Sequence, residues 1–510
     1  MKKYAPLLVF AFFFALYALT AQHGLSWQDS GEYQWRVLSA DVAGFSGLAR
    51  AHPLYISAAR LWSGCFPPAF RLWAVSAFSG MGAAVALAVL FAALRRLTSS
   101  FAAASIAVVL AGFSHMLWWL SCVAEVYTWS LAAMALELFL LMLVFEGGRG
   151  RKRAACTLFF VNGLHLGIHN FALIDLAVLV PAATVALYRS ERAFLPVLKA
   201  MAAGIVIWFV GAMPMVSLFV RCLNFGTPLV DAVRSLLFGA GYEQAVMGTA
   251  GVEKGRFAIN MALAALSFAS PLWVGIFSPC REGACVLRGG MRHFVGSVTV
   301  LAILHFVFWI RYFVPDQATF VLPTLFLGAF FVGLGFARSG VGKWRAVQLI
   351  ALGMLTAVFV PLIAAQALEI DAFGIRRARA LPFRSEFSYW LQPWKCDEDS
   401  AERFAAKAAE TVKAGDVLIA DTTVSGMLQA AVLTGKFPSG CKIVPVYSYR
   451  TGPALPGLLQ NHGNVYLVSP VEGYTPDDKE FLSGRYRYVK KGVLFRIAAT
   501  SRGDDREECR

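Results

Sequence analysis

Apolar runs long enough to cross a bilayer recur through the first 368 of 510 residues. Lipid offers a backbone amide no partner outside its own helix, so such runs must be helical. Taking about 18 apolar residues as the length of a span, the sequence predicts an α-helical polytopic membrane protein of about 11 transmembrane helices. These lie near residues 5–22, 70–94, 101–120, 126–145, 154–166, 171–188, 200–222, 257–278, 294–312, 320–337 and 346–368. The fifth and sixth are short and read equally as one broken hairpin. Hydrophobic residues make up 58% of the chain and charged ones only 15%, and mean hydropathy is +0.60. Soluble domains carry about a quarter charged residues, so a purely cytosolic enzyme is excluded. The 41 Phe and 13 Trp exclude disorder and a small disulfide scaffold.

Charge gives the sidedness. Residues 1–368 hold 26 Lys and Arg against 13 Asp and Glu, whereas residues 369–510 hold 20 against 18. With the amino terminus inside, 17 of the 26 fall in mostly short inner connections, among them Arg95, Arg96, Arg151, Lys152, Arg153, Arg189, Arg192, Arg338 and Lys343. This is the distribution that cytoplasmic loops carry. An odd number of spans then places the last 142 residues outside. Nucleic-acid binding would gather the basic residues on a soluble face instead. Lys2 and Lys3 ahead of an apolar stretch resemble a signal peptide, but Tyr4 to Ala21 is long enough to cross, so an uncleaved anchor is expected.

From about residue 398 the composition becomes that of a soluble domain. Strand-like runs Val417–Ala420, Lys442–Tyr447 and Asn464–Ser469 alternate with helical stretches at 400–413, 424–434 and 475–482, and a hairpin runs from Tyr486 to Ile497. That alternation predicts a small extracytoplasmic α/β layer. Residues 1–368 are therefore expected to form the transmembrane domain and 369–510 the outer one. Cys396 and Cys441 both fall in the outer domain, where an oxidising compartment permits a disulfide. Cys280 and Cys285 lack companions at zinc-ligand spacing.

Polar side chains at the outer rim carry the functional argument. The first outer loop holds Asp29-Ser30-Gly31-Glu32-Tyr33 and then His52-Pro53-Leu54-Tyr55. Asp29 and Glu32 share one side if their segment is helical, and a carboxylate there can act as general base on a hydroxyl. The competing assignment makes Asp29 a helix cap and Glu32 its capping-box partner. Glu125 and Tyr127 begin the fourth span, where a carboxylate is also favoured by a helix amino terminus. His165, His169 and Asn170 end the fifth, with the two imidazoles four residues apart and hence on one helical face. Ionisable groups at membrane depth usually line a site. A phosphate-bearing substrate also needs a cation. Arg36, Arg50, Arg60, Arg221, Arg256 and Arg311 stand at the outer rim, Arg311 foremost because it ends a helix just before Asp316. A divalent cation (Mg or Mn) on carboxylate oxygens is the other source of positive charge, and no metal ligand is assigned. Nucleotide-binding P-loops, zincin motifs and serine-hydrolase elbows are missing from the sequence.

The order Asp-Ser-Gly-Glu, His-Pro-x-Tyr, Ala-Glu-Val-Tyr and Gly-Leu-x-x-Gly-x-His resembles the GT-C superfamily of membrane glycosyltransferases. Within it, the pattern is most similar to the bacterial branch related to animal protein O-mannosyltransferases of the endoplasmic reticulum. The likeness covers about the first 190 residues, and Leu54-Tyr55 departs from the branch's Pro-Gly-Tyr-Pro. It implies a GT-C fold and a polyprenyl-phosphate-linked monosaccharide as donor. It also implies Asp29 as the catalytic base, with Glu32, His52, Glu125, His165 and His169 shaping the donor and acceptor sites. Tyr33, Tyr55, Tyr127, Asn170, Arg311 and Asp316 complete the expected substrate-binding set.

The function expected is transfer of a monosaccharide from the lipid-linked donor to an extracytoplasmic hydroxyl on a protein, lipid or glycan, in the cytoplasmic membrane. A transporter or lipid flippase with a polar intramembrane path is the main competitor, although no internal repeat of the transporter kind is visible. A noncatalytic scaffold using the outer domain is the third.

Overall fold

The computed structural model describes residues 4–148, 150–239, 254–278, 290–367, 381–446, 455–471, 475 and 486–499. Helix α1 (Ala5–Thr20) leads into two short helices, α2 (Gln28–Ser39) and α3 (Pro53–Gly64), and then into the long α4 (Arg71–Thr98). Next, α5 (Phe101–Gly112) and α6 (His115–Ser121) meet at 66°. They are followed by α7 (Tyr127–Glu146), α8 (Arg151–Leu166), α9 (Phe171–Glu191), α10 (Phe194–Asn224) and the short α11 (Leu229–Phe238). Helix α12 (Lys254–Leu266) turns by 84° into a 3-10 stretch at Pro271–Phe277, where proline cannot continue the preceding helix. Helices α13 (Met291–Arg311), α14 (Leu322–Ser339) and α15 (Lys343–Ala367) complete the bundle.

Among the described residues seven helices are long and apolar enough to span, and nine if each bent pair counts as one. The two remaining expected spans are the 16-residue helices α1 and α8. The fifth and sixth runs are separate helices, α8 and α9, rather than one broken unit. On α10 the large apolar side chains Ile205 and Phe209 are 54% and 52% exposed, and on α15 Leu355 and Ile363 are 54% and 62% exposed. Hydrocarbon rather than water suits such faces.

The carboxyl-terminal part carries a sheet of strand order β2-β1-β3-β5-β4, built from β1 (Val417–Ala420), β2 (Lys442–Pro445), β3 (Val465–Leu467), β4 (Tyr486–Lys491) and β5 (Leu494–Ala499). Strand β1 lies parallel to both neighbours, pairing Val417 with Lys442 and with Val465, and β5 runs antiparallel to β3 and β4. Helices α16 (Glu386–Leu391), α17 (Ser400–Ala409), α18 (Ser425–Leu433) and α19 (Leu455–Asn461) accompany it. A central strand buried throughout as Val-Leu-Ile-Ala is what parallel pairing with covered faces requires. The helical stretch expected at 475–482 lies outside the described residues apart from Thr475, as do Cys280 and Cys285. Cys396 and Cys441 are separate free thiols, so the permitted disulfide is not formed.

This layer is seated on the bundle. The Gln28 amide donates to the Thr423 carbonyl at 2.9 Å and the Lys395 amide to the Thr20 carbonyl at 2.8 Å. The Trp27 indole donates to Ser400 Oγ at 2.8 Å and the Trp119 indole to the Tyr389 carbonyl at 3.1 Å. A single apolar cluster runs from Phe13 and Leu87 in the bundle to Phe404 and Leu428 beyond it. The fold is thus an α-helical polytopic bundle with a carboxyl-terminal α/β layer over one end.

Candidate active site

The segment after α1 turns sharply at Gln28, a non-glycine residue at φ 57°. That left-handed conformation costs about 1–2 kcal/mol and is held by the hydrogen bond from the Gln28 amide to the Thr423 carbonyl. Asp29 follows in the first turn of α2, and Trp27 rather than Asp29 occupies the cap position without a side-chain cap. The capping alternative is therefore not what Asp29 does. Its Oδ1 lies 3.1 Å from Arg50 Nη2, which also stands 3.6 Å from Glu32 Oε2. Burial pushes the Glu32 carboxyl up to about 7 against the pull of Arg50.

Arg50 is presented by a loop that a second arginine shapes. The buried Arg36 donates to the Asp41 carbonyl at 3.1 Å, the Arg50 carbonyl at 2.9 Å and the Ala51 carbonyl. His52 then adopts φ 50°, ψ 47°, a left-handed residue before a proline, where αR is disfavoured. Its Nδ1 sits 2.6 Å from the Ile168 carbonyl, and its ring stacks on His169 at 5.5 Å and 10°. The Leu54 amide bonds to the Gly167 carbonyl at 2.9 Å. The first loop and the α8–α9 turn are in this way fastened together. Burial holds His52 well below the usual imidazole range and lowers His169 to about 3, so both are neutral at pH 7.

A cleft of about 710 Å³, open mouth included, is lined by Asp29, Tyr33, Arg50, His52, Tyr127, His169, Asn170 and Asp316. Phe308, Tyr312 and Phe320 form an aromatic wall, with Tyr312 and Phe320 rings 4.7 Å apart. Leu237 and Phe238 of α11 close one side, and the Leu237 carbonyl accepts from Asn170 Nδ2 at 3.1 Å. Tyr127 donates toward Asp316 Oδ2 at 3.5 Å. Burial, and then the Asp29 charge, raise Asp316 to about 6.

Three of the other expected residues stand around this cleft rather than in it. Glu32 backs Arg50. Tyr55 packs 5.8 Å from the Tyr33 ring. Glu125 is buried and accepts from Ser30 Oγ at 2.9 Å, while Ser79 Oγ accepts its amide and donates to its carbonyl, both at 2.9 Å. Burial and the Asp29 charge push the Glu125 carboxyl well up. Arg311 does not reach the cleft: it is exposed and lies 5.7 Å over the Phe313 ring. Arg50, which the sequence offers only as one arginine among six, takes the position expected of Arg311.

His165 and His169 do not share a helical face. Helix α8 ends at Leu166 and Gly167 opens a turn, so His169 enters the cleft while His165 turns into the bundle. There its Nε2 meets Ser130 Oγ at 2.6 Å and its Nδ1 meets Glu137 Oε1 at 3.0 Å. Among the described residues, Glu137, His165 and Asp175 form the one group whose ligand atoms lie close enough for a shared ion. Glu137 and Asp175 were detectable as lone carboxylates within the runs 126–145 and 171–188.

Sequence comparison finds no matching family model and no matching curated protein. Structure comparison does find similar folds. ArnT from Cupriavidus metallidurans bound to undecaprenyl phosphate is 13% identical, with 97% of this chain and 96% of that chain covered, at a TM-score of 0.59. The same protein in the apo state is 14% identical, with 96% of each chain covered, at 0.57. The mycobacterial arabinofuranosyltransferase AftD is 12% identical, covering 98% of this chain and 40% of that one, at 0.46. With both ArnT alignments running through nearly the whole bundle and the α/β layer above it, the chain has the GT-C fold.

Proposed function

We propose that this chain is a membrane glycosyltransferase that moves a monosaccharide from a polyprenyl-phosphate-linked donor to an extracytoplasmic hydroxyl. The observation that carries this reading is the Asp29–Arg50 pair, 3.1 Å apart at the mouth of a cleft opening at one end of a lipid-embedded bundle. A lipid tail remains in the bilayer while its phosphate and sugar enter the cleft. The ArnT structure solved with undecaprenyl phosphate supports this donor class through the shared fold.

In the reaction so framed, Asp29 takes the proton of the acceptor hydroxyl as its oxygen attacks the anomeric carbon. The bond from that carbon to the phosphate oxygen breaks, and its electron pair leaves with the polyprenyl phosphate. Arg50 faces the charge gathering on the leaving group, where a guanidinium binds phosphate bidentately. Neutral His52 and His169, with Tyr33 and Tyr127, offer hydrogen bonds to sugar hydroxyls, and the aromatic wall covers the apolar sugar face. Glu32, Glu125 and Tyr55 support this shell from behind. In this reading the protein sits in the cytoplasmic membrane with its amino terminus inside and the α/β layer outside.

Protein reconstituted with a labelled polyprenyl-phosphate sugar should transfer label to an acceptor extract. Asp29→Asn should lower the rate by about 10²–10⁴, the usual weight of a general base, with an unchanged unfolding midpoint. An undiminished rate in Asp29→Asn would reject Asp29 as base, and donor crossing the bilayer without bond cleavage would favour a transporter.

A further inference from the structure

Beneath the cleft, four spans direct ionisable side chains into the bundle where sugar transfer does not use them. Helix α7 brings Glu137, α8 brings His165, α9 brings Asp175 and α13 brings His305. All four are buried, at 0%, 0%, 0% and 1% exposure. One ligand atom from each of Glu137, His165 and Asp175 lies within 4.8 Å of the others. His165 Nδ1 is 3.0 Å from Glu137 Oε1 and 3.5 Å from Asp175 Oδ2. Ligands bound at zinc distances around a tetrahedral ion stand about 3.4 Å apart, so little movement would admit one.

Two further observations point to an ion. Glu137 Oε2 and Asp175 Oδ2 are fully buried and accept no hydrogen bond from any donor group, so only an ion or a proton shared between the two carboxyls satisfies them. Each ligand is also oriented from behind. His165 Nε2 meets Ser130 Oγ at 2.6 Å, leaving Nδ1 for the ion when Nε2 carries the proton. The Trp208 indole donates to Asn162 Oδ1 at 2.9 Å, so that Asn162 Nδ2 faces Glu137 Oε1 at 3.1 Å. His305 Nε2 meets Asp175 Oδ1 at 2.7 Å. Backing of this kind fixes the tautomer and angle of metal ligands. Among the described residues no Lys or Arg pairs with either carboxylate, and histidines are their only side-chain ion-pair partners; two carboxylates in a dry interior need a cation or a shared proton.

We propose that Glu137, His165 and Asp175 bind one divalent ion of the zinc type, with His305 and Asn162 orienting the carboxylates. The ion neutralises both carboxylates and ties α7, α8 and α9 together under the cleft. Phe171 connects the two levels, its ring 4.2 Å from His169 above and 5.4 Å from His305 below. The site is separate from the rim carboxylates and stands whether or not Asp29 acts as base.

The test uses full-length protein in detergent, stripped with a chelator and dialysed against Zn²⁺ or Co²⁺. Mass spectrometry should find about one ion per chain, and bound Co²⁺ should show the intense visible bands of four-coordinate nitrogen and oxygen ligation, with a water completing the three protein ligands. Glu137→Gln and Asp175→Asn should each cut retained metal at least tenfold, whereas Asp29→Asn should retain it. If the two cluster variants do not fold, the wild-type Co²⁺ spectrum decides, with four-coordinate bands supporting the site and six-coordinate bands overturning it. A folded wild type without stoichiometric metal, or undiminished metal in the folded variants, overturns the proposal and leaves a proton shared between the two carboxylates.

Discussion

At the scale of single residues, Arg50 lies at the cleft, among the described residues, near two carboxyls, Glu32 and Asp316, whose ionisation changes near neutral pH. Below about pH 6 Glu32 and Asp316 hold their protons. As pH rises through about 6 and then about 7, both carboxyls ionise and the cleft turns negative. At about 9 Å and an effective dielectric near 20, each new charge opposes a bound phosphate by about 1–2 kcal/mol. The donor KM should therefore rise roughly 30-fold or more from pH 5.5 to 8, measured as initial rates over a donor series, and Glu32→Gln should flatten the part of the rise centred near 7. Stability follows the same sign. A carboxyl raised in the folded state contributes most below its unfolded value, near 4.5, and loses that contribution as pH climbs through about 7. Arg50→Ala removes a charge-assisted contact of about 1.5–3 kcal/mol and should raise the donor KM by about 10–100-fold, with Arg50→Lys recovering part. The importance of Arg50 was not legible in the sequence, because six rim arginines look alike until tertiary structure turns Arg311 outward over Phe313 and folds Arg36 onto backbone carbonyls.

Individual elements explain why the acidic motif contains a glycine. Helices α2 and α18 cross so closely that a Cβ on Gly31 would stand 3.0 Å from the Met427 amide nitrogen, besides 2.2 Å from the Ser26 carbonyl oxygen just before α2, and one on Gly426 would stand 2.5 Å from the Glu32 Cα and amide nitrogen. These are backbone atoms, which cannot swing aside. Gly426→Ala should therefore destabilise the protein by about 1–3 kcal/mol and push α2 away from the cleft. Misplacing Asp29 by about 1 Å should cost transfer about 10²-fold, read as kcat beside the thermal unfolding midpoint in detergent. Gly457→Ala, inside α19 where a Cβ meets nothing, should leave kcat unchanged and should not lower the midpoint. The sequence made the spans and the four polar motifs legible because polar residues stand out within apolar runs. Neither the seat of α18 on α2 nor the parting of His165 from His169 was visible that way. The first depends on residues nearly 400 positions apart, and the second on a helix stopping at Leu166, one residue before Gly167.

Across the whole molecule, basic residues mark one end and the cleft marks the other. Arg96 at the close of α4 pairs with Glu146 at the close of α7 at 2.7 Å, and Lys152 opening α8 pairs with Glu191 closing α9 at 3.1 Å. Arg189 near that same end of α9 contacts His293 at the start of α13. The cleft is built from the opposite ends of these helices: the start of α7, the α8–α9 turn and the segment after α13. Since Lys and Arg collect on the cytoplasmic side, the cleft and the α/β layer that clamps Asp29 should face outward. That placement suits a donor whose phosphate and sugar meet the acceptor outside. In a background with all nine cysteines replaced, a membrane-impermeant maleimide added to intact cells should label Lys413→Cys in the α/β layer. It should leave Arg192→Cys at the basic end unlabelled until the cells are permeabilised. The inverse pattern would turn the molecule over, putting Asp29 and Arg50 on the cytoplasmic face, where an extracytoplasmic acceptor could not reach them.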